Sequence, residues 1–318
     1  MNFCSLLPMF IRLFLLVLSS HLGAAEYVLP QGKQRLIGQD LQHKVIKGDY
    51  FQQLAEQYDV GFLALSQANP NIDPFAPSLG STIIIPKAML LPFGKHQGIV
   101  INLPELRLYY FDSVNNKVHV FPVGIGKQGF ATPLTTSYIS EKRKDPVWRP
   151  TKAMRERYFK TQGKHLAKEV PAGENNPFGQ HALRLGTSEY LIHGSNKRFG
   201  IGMRASSGCI RLYDEDIKWL FDHVPMKTEV RIINQPIKMS FEDGNQRLIE
   251  IHSPISEDYE QITVRNAEQG IRKKKQFQAI TPTTAMHRFI GANRARWRQL
   301  LPEIEQPRGM VISLTDTE

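Results

Sequence analysis

The spacing of apolar residues changes twice between residues 43 and 86. "HKVI" alternates as a half-buried strand does, and "TIIIP" is a β-branched run stopped by proline. Between them Phe51, Leu54, Ala55 and Tyr58 recur at helical spacing, with Asp49 where an N-cap should stand. A second short apolar stretch, Phe62 to Ala68, ends at the turn cluster "NPNIDP". The expected order is strand, helix, helix, strand: a small βααβ module over residues 43–87.

Beyond the connecting "KAMLLPFGKHQ" the period falls to two. "GIVINLPELRLYYF", "KVHVFPVGIG", "TSYIS", "YLIHGS" and "EVRIIN" read as strands, separated by "DSVNN" and "KQGFATP" turns. "DEDIKWLFDHV" is the exception: Ile217, Leu220, Phe221 and Val224 share one helical face, with acids at its start. Residues 97–235 therefore predict a mostly β, sandwich-like domain with one or two helices. From 237 to 318 the pattern weakens to a basic C-terminal extension. "IRKKKQ" is a charge run, and "TAMHRFIGANRARWRQLLPEI" predicts a basic amphipathic helix, lying on a membrane or packed on the domain.

The first residues form a different kind of segment. Arg12 precedes the apolar run Leu13 to Leu18, and small residues follow in "LGAA". Gly23 and Ala25 fit a cleavage pattern, so residues 1–25 are expected to be a signal peptide cut after Ala25. The apolar stretch is short for a membrane span and is interrupted by Pro8 and Arg12. Export from the cytoplasm is therefore expected.

Composition changes the picture in two ways. The net charge is +10, and residues 261 to 300 alone hold nine Lys or Arg against Glu268. An exported basic protein meets anionic lipid or carboxylate-rich polymer rather than nucleic acid, so peripheral membrane contact through the basic tail is one expectation and a solvated tail the other. The second point is cysteine. With Cys4 in the leader, the exported chain keeps only Cys209, in a compartment that oxidises thiols. Such a thiol forms an intermolecular bond, lies inert in a core, or reacts.

The neighbours of Cys209 favour reaction. His193 ends a strand-like run and is followed by Gly194; Cys209 follows 16 residues later, after Gly208. The intervening "SNKRFGIGMRAS" reads as a glycine-containing loop. Two segment ends joined by such a loop can bring an imidazole to a thiol. The thiolate is the nucleophile, and an imidazole can take its proton and return it to a leaving amine. Gly208 permits an unusual turn, which would aim backbone N–H groups near Cys209 at a developing oxyanion. His181, His193 and Cys209 are also candidate metal ligands, but their spacing matches no compact metal motif.

Two resemblances sharpen these readings. Residues 43–87 resemble a LysM module through "GD" before the first helix, "LAEQYDV", "QANPNID" and the glycine of "GSTIIIP". Residues 97–235 resemble the catalytic domain of the L,D-transpeptidases (the YkuD domain). The motif stretch is "HGSNKRFGIGMRASSGCIR", and "INLPELRLYYF", "FPVGIGKQGFATPLTT", "DPVWRPT", "NPFGQHALRLG" and "EDIKWLF" match as well. With the leader, the order resembles the Gram-negative periplasmic branch.

The resemblance implies Cys209 as nucleophile, His193 as acid/base and the Gly194 carbonyl as orienter of the ring. It implies substrate-binding roles for Ser206, Ser207, Gly208 and Arg211. Ser207 departs from the family, which usually has histidine there, and Arg211 stands where many members have asparagine. Arg211 would grip a stem-peptide carboxylate, or else pair with a helix acid such as Asp214. The implied partners are peptidoglycan stem peptides and glycan, with a lysine-bearing outer-membrane lipoprotein as one possible acceptor. No metal or organic cofactor is implied. Hydrolysis of the same stems, or wall binding without catalysis, are the alternative readings.

Overall fold

The computed structural model describes residues 25–255 and 279–316. The leader up to residue 24 and the "IRKKKQ" run lie outside the described residues. The first segment holds β1 (Ala25–Val28), β2 (Leu36–Ile37), β3 (Leu41–Lys44), α1 (Phe51–Gln57), α2 (Phe62–Ala68), β4 (Thr82–Ile85) and β5 (Met89–Leu90). The expected βααβ order is present, with β3 antiparallel to β4 so that His43 faces Ile83. Asn69 ties the end of α2 to β4: its amide donates to the Leu65 and Ile84 carbonyls, and its oxygen accepts from the Ile84 amide, each at 2.8 Å. Asp49 does not cap α1. The N-cap is Tyr50, which makes no side-chain cap, and the Asp49 carboxylate instead accepts from Ile46 N and meets His43 Nε2, both at 2.8 Å. The "KGD" turn uses up the carboxylate one residue too early.

The middle segment carries β6 (Gly98–Asn102), β7 (Arg107–Asp112), β8 (Lys117–Pro122), β9 (Ile125–Gly126), β10 (Thr135–Lys144), α3 (Lys152–Gln162), β11 (His181–Leu185), β12 (Leu191–His193), β13 (Phe199–Gly202), β14 (Arg204–Ser206), β15 (Ile210–Arg211), α4 (Asp214–His223) and β16 (Glu229–Ile233). The apolar run 98–111 is two strands. Pro104 sits in a single 3-10 turn, Leu103–Glu105, and Leu106 adopts φ +55°, so the chain reverses into a β6–β7 hairpin. The mostly β core is one nine-stranded sheet in the order β1-β8-β7-β6-β16-β10-β11-β12-β15. Its β6–β16 and β12–β15 pairs are parallel. Residues alternate between its faces, as strand geometry requires. Ile99, Ile101, Leu108 and Phe121 enter a large core with Ile139, Leu183, Ile192, Ile210 and Val230, while Val100, Tyr109, Val118 and Val120 join Ile37, Met89 and Leu91 on the other side.

The small module is not held at a distance from this sheet. Phe51, Leu54, Leu65, Ile83 and Ile85 belong to the same apolar cluster as Ile99 and Leu108. Burying each such side chain contributes roughly 1.5–3 kcal/mol. Phe62 of α2 meets Phe199 of β13 with ring centroids 5.6 Å apart. A Cβ on Gly202 would lie 2.2 Å from Gly61 Cα, so glycine at both places lets the two backbones touch.

The last segment is a folded unit rather than a solvated tail. The strands β17 (Ile237–Phe241), β18 (Arg247–Ile251) and β19 (Val311–Leu314) form an antiparallel sheet, with α5 (Thr284–Ile290) and α6 (Arg294–Glu305) between the last two. The single expected helix is two. Gly291, at φ +71°, ends the first, and the Asn293 side chain caps the second by accepting from Arg296 N at 3.1 Å. Met286, Ile290 and Leu300 are fully buried with Ile249, Ile251 and Leu314. The apolar face considered for a membrane is thus packed on the domain.

This unit meets the middle domain through buried charge. Lys238 Nζ lies 2.8 Å from Glu105 Oε2 and 2.9 Å from Glu250 Oε2, and all three side chains are fully buried. Arg107 bonds both carboxylates, Tyr109 donates to Glu105, and His252 meets Glu250 at 2.7 Å. Glu105, Glu250 and His252 bring three ligand-type atoms within 4.8 Å of one another. The Lys238 ammonium provides the positive charge between those carboxylates.

Candidate active site

Strands β12 and β15 run parallel with Ile192 opposite Ile210 and His193 opposite Arg211. In-register neighbours share a face, and residues two apart on one strand do too. Cys209 lies in the bend immediately before β15, two residues ahead of Arg211, which is the partner of His193 on the neighbouring strand. The 15 residues between His193 and Cys209 contain β13 and β14 and return the chain to this position.

His193 is buried, and its Nδ1 lies 2.6 Å from the Gly194 carbonyl. A carbonyl only accepts, so Nδ1 carries the proton and Nε2 keeps a free lone pair. Burial, and then the Arg211 charge, hold the imidazole down at about 3, so it is neutral at physiological pH. The ring meets Phe178 edge-on at 4.7 Å. Gly194 is required here: a Cβ would lie 2.0 Å from Asp214 Oδ1. That same oxygen accepts from Ser195 N at 3.1 Å. The first residue of α4 thereby braces the turn that orients the imidazole.

Cys209 is partly exposed. Burial pushes its thiol up, while a hydrogen bond from the Leu191 backbone and the Arg211 charge oppose that. Gly208 adopts φ +111°, the unusual turn expected of it, and a Cβ there would press on the Tyr190 ring at 3.0 Å. Its carbonyl accepts from Thr132 Oγ1 at 2.8 Å, and that hydroxyl also accepts from Gly126 N at 2.9 Å. The "KQGFATP" turn is thus pinned over the cysteine loop.

Ser206 and Gly208, two of the expected substrate-binding residues, are hydrogen-bonded within the cysteine loop itself. Ser206 is buried; its hydroxyl donates to the Cys209 carbonyl at 2.5 Å and accepts from Gly208 N at 3.0 Å. Both hydrogen-bonding capacities of that side chain shape the loop, so it positions Cys209 rather than binding substrate. Gly208 N–H is spent on the same hydroxyl, which removes it from the oxyanion donors. Ser207 is exposed at the tip. Arg211 is half-buried, its Nε has no partner among the described residues, and Asp214 serves Ser195 instead. The helix-acid pairing is not the one formed. His181 packs its ring on Phe221 at 4.8 Å, and its carbonyl accepts from Gly194 N at 3.2 Å.

Sequence reasoning missed Thr132, Tyr190 and Phe178, and of its two alternatives for Arg211 the pairing with Asp214 is not formed. Phe178 stood in the recognised "NPFG" stretch and Thr132 in "FPVGIGKQGFATPLTT", but neither stretch shows what the side chain touches.

Comparison with known proteins agrees with this geometry. Residues 96–232 match the family model described as the L,D-transpeptidase catalytic domain, and residues 236–313 match the L,D-transpeptidase C-terminal domain. The chain is 47% identical over 267 residues to a probable L,D-transpeptidase YcfS of Escherichia coli, covering 80% of this chain and 83% of that one. It is 38% identical over 309 residues to a probable L,D-transpeptidase ErfK/SrfK of Salmonella typhimurium, covering 96% of both. A probable L,D-transpeptidase YbiS of Escherichia coli is 42% identical over 240 residues, 74% of this chain and 77% of that one. The segment called a basic extension is thus a second family domain, and the chain belongs to the L,D-transpeptidases, a family of transferases acting on peptidoglycan stem peptides.

Proposed function

We propose that Cys209 attacks the carbonyl of the diamino acid at position three of a tetrapeptide stem. His193 Nε2 takes the thiol proton and gives it to the departing amine of D-alanine. The resulting thioester is broken by an acceptor amine, which returns the thiol. The observation that carries this reading is the imidazole itself: neutral, with Nδ1–H committed to the Gly194 carbonyl and Nε2 left to accept, on the strand paired with the one that Cys209 precedes. Arg211 is the proposed holder of a stem carboxylate, supported by its unpartnered Nε beside the cysteine. A stem diamino acid as acceptor gives a 3→3 crosslink; a lipoprotein lysine gives a wall-tethered protein; water gives a carboxypeptidase.

Residues 43–87 are proposed as a LysM-type glycan-binding module, and the protein as periplasmic after removal of its leader. Because the module's core is continuous with the catalytic core, glycan held there would stand at a fixed place relative to Cys209. The test is mass spectrometry of the purified protein with disaccharide-tetrapeptide. A dimer lighter by one D-alanine, absent in Cys209→Ala and His193→Ala, is the expected product. Loss of D-alanine without a dimer points to hydrolysis or to a missing lipoprotein acceptor. An unchanged substrate with retained glycan binding sinks the catalytic reading.

A further inference from the structure

The first described strand begins at a pocket of acids. Ala25 pairs with Val120, and its N lies 3.2 Å from Asp59 Oδ2. Asp59 sits in the turn between α1 and α2 at φ +51°, a conformation that carries its carboxylate towards the strand. Asp216, from the first turn of α4, is 4% exposed, and its Oδ2 has no partner among the described residues. The Tyr27 and Tyr213 hydroxyls are likewise buried without partners. Burial, and the charge of Asp59, raise Asp216 well above the usual carboxylate range, and burial holds Asp59 at about 6.

The surrounding charges do not balance this pair. Arg198 bridges Glu56 and Glu215, one cation for two acids. Lys87, whose Nζ donates to the Tyr58 carbonyl at 2.6 Å, is the remaining cation acting on both Asp59 and Asp216. Among the described residues Arg198 and Lys87 are the cations acting on these four acids, Arg107 acts on the adjoining Lys87 and Tyr27, and a neutral peptide N–H is the group bonded to Asp59. Buried carboxylates are costly without a charged partner.

We infer that this pocket is the docking site of the chain's own processed N-terminus, where the α-ammonium of Ala25 pairs with Asp59 beside Asp216. The inference rests on the export reading. It moves the expected cut by one residue, because the Ala25 that was assigned to the leader is part of the sheet. Hydrolysis of the Ala24–Ala25 peptide bond places the water oxygen on the Ala24 carboxylate and leaves an amine on Ala25. With an ordinary α-amino value near ~7.7–8.0, that amine is largely protonated at neutral pH. The ammonium supplies a full charge and three donors where the amide supplied one. The Asp216 carboxyl and the Tyr27 and Tyr213 hydroxyls, all buried without partners, lie close enough to feel the Asp59 charge and add acceptor oxygens to its surroundings. The pocket joins β1, the small module and α4, whose first residue braces Gly194, so the docked terminus would hold together the three elements that meet behind the active site.

The test begins with the full chain expressed with its leader in a Gram-negative host. An intact mass that starts at Ala25 is expected. A mass that retains Met1 removes the export reading and the inference with it; a cut elsewhere overturns the inference alone. Thermal unfolding of a four-protein cycle then follows: mature protein and Asp59→Asn, each with and without one extra glycine before Ala25. Asp59→Asn and the added glycine should each lower Tm by about 3 °C or more, and together cost no more than either alone. An equal loss from Asp59→Asn in both backgrounds, or no loss in either, means that the carboxylate serves only as an amide acceptor and overturns the inference. Asp216→Asn in the same cycle decides the matter if Asp59→Asn fails to fold.

Discussion

Asp214 Oδ1 occupies the space that a side chain on Gly194 would need, 2.0 Å from the ideal Cβ position, while accepting the Ser195 amide. The glycine after the candidate base is therefore set by the helix beneath it. Gly194→Ala must push the turn off Asp214, and with it the carbonyl that holds His193 Nδ1. A displacement of about 1 Å at a catalytic group costs on the order of 100-fold in rate. We expect that loss in kcat for acylation by tetrapeptide, with partial recovery in Gly194→Ala/Asp214→Gly. A fully active Gly194→Ala would show that the brace does not matter.

The imidazole also predicts a pH dependence of stability. In the unfolded chain a histidine protonates near ~6.5, whereas folded His193 is held at about 3, chiefly by burial. Between those values the unfolded state binds the extra proton. Stability from this group is thus complete above the unfolded value and is lost as pH falls towards the folded one. The full window corresponds to about 5 kcal/mol. Urea unfolding of the native protein and of His193→Gln across that range should show a steeper acid loss in the native protein. Parallel curves would mean that His193 protonates freely in the fold.

Arg211 stands two residues after Cys209, and its charge favours the thiolate against the effect of burial. Arg211→Gln should move the midpoint of iodoacetamide alkylation of Cys209 to higher pH. The variant should also raise KM for stems carrying a free carboxylate. An unmoved midpoint would place the guanidinium too far from the sulfur to act on it, and an unmoved KM would remove it from the carboxylate site.

How much of this was legible in the sequence depended on the range of the interaction. Period-two runs such as "KVHVFP" gave their strands away, and the apolar face of Ile217 and Leu220 gave away its helix, because the pattern reports burial residue by residue. The lone cysteine and His-Gly stood out because so few residues can do their chemistry. Thr132 was silent, since its role lies in the Gly208 carbonyl 76 positions away. Ser206 was read as facing substrate because a motif says where a serine stands and not which way it points. The C-terminal domain was read as a tail for a related reason. Its seam to the catalytic domain is made of Lys238, Glu250 and His252, charged residues whose burial becomes visible only when Glu105 and Arg107 are brought opposite.

That seam yields the last prediction. Lys238 is fully buried and supplies the ammonium between Glu105 and Glu250, so its loss leaves the two carboxylates with Arg107 and, at Glu250, the His252 ring. Breaking a buried pair by removing one partner costs about 3–5 kcal/mol. Lys238→Met retains most of the apolar stem and removes the charge. Unfolding should shift by that amount, with release of the C-terminal domain before the catalytic sheet, seen as early proteolysis after residue 236. Adding Glu105→Gln and Glu250→Gln should recover part of the loss, because neutral amides no longer need the ammonium. A Lys238→Met protein as stable as the native one would mean that water or a shifted Arg107 neutralises the pair, and that the two domains are held together by their apolar contacts alone.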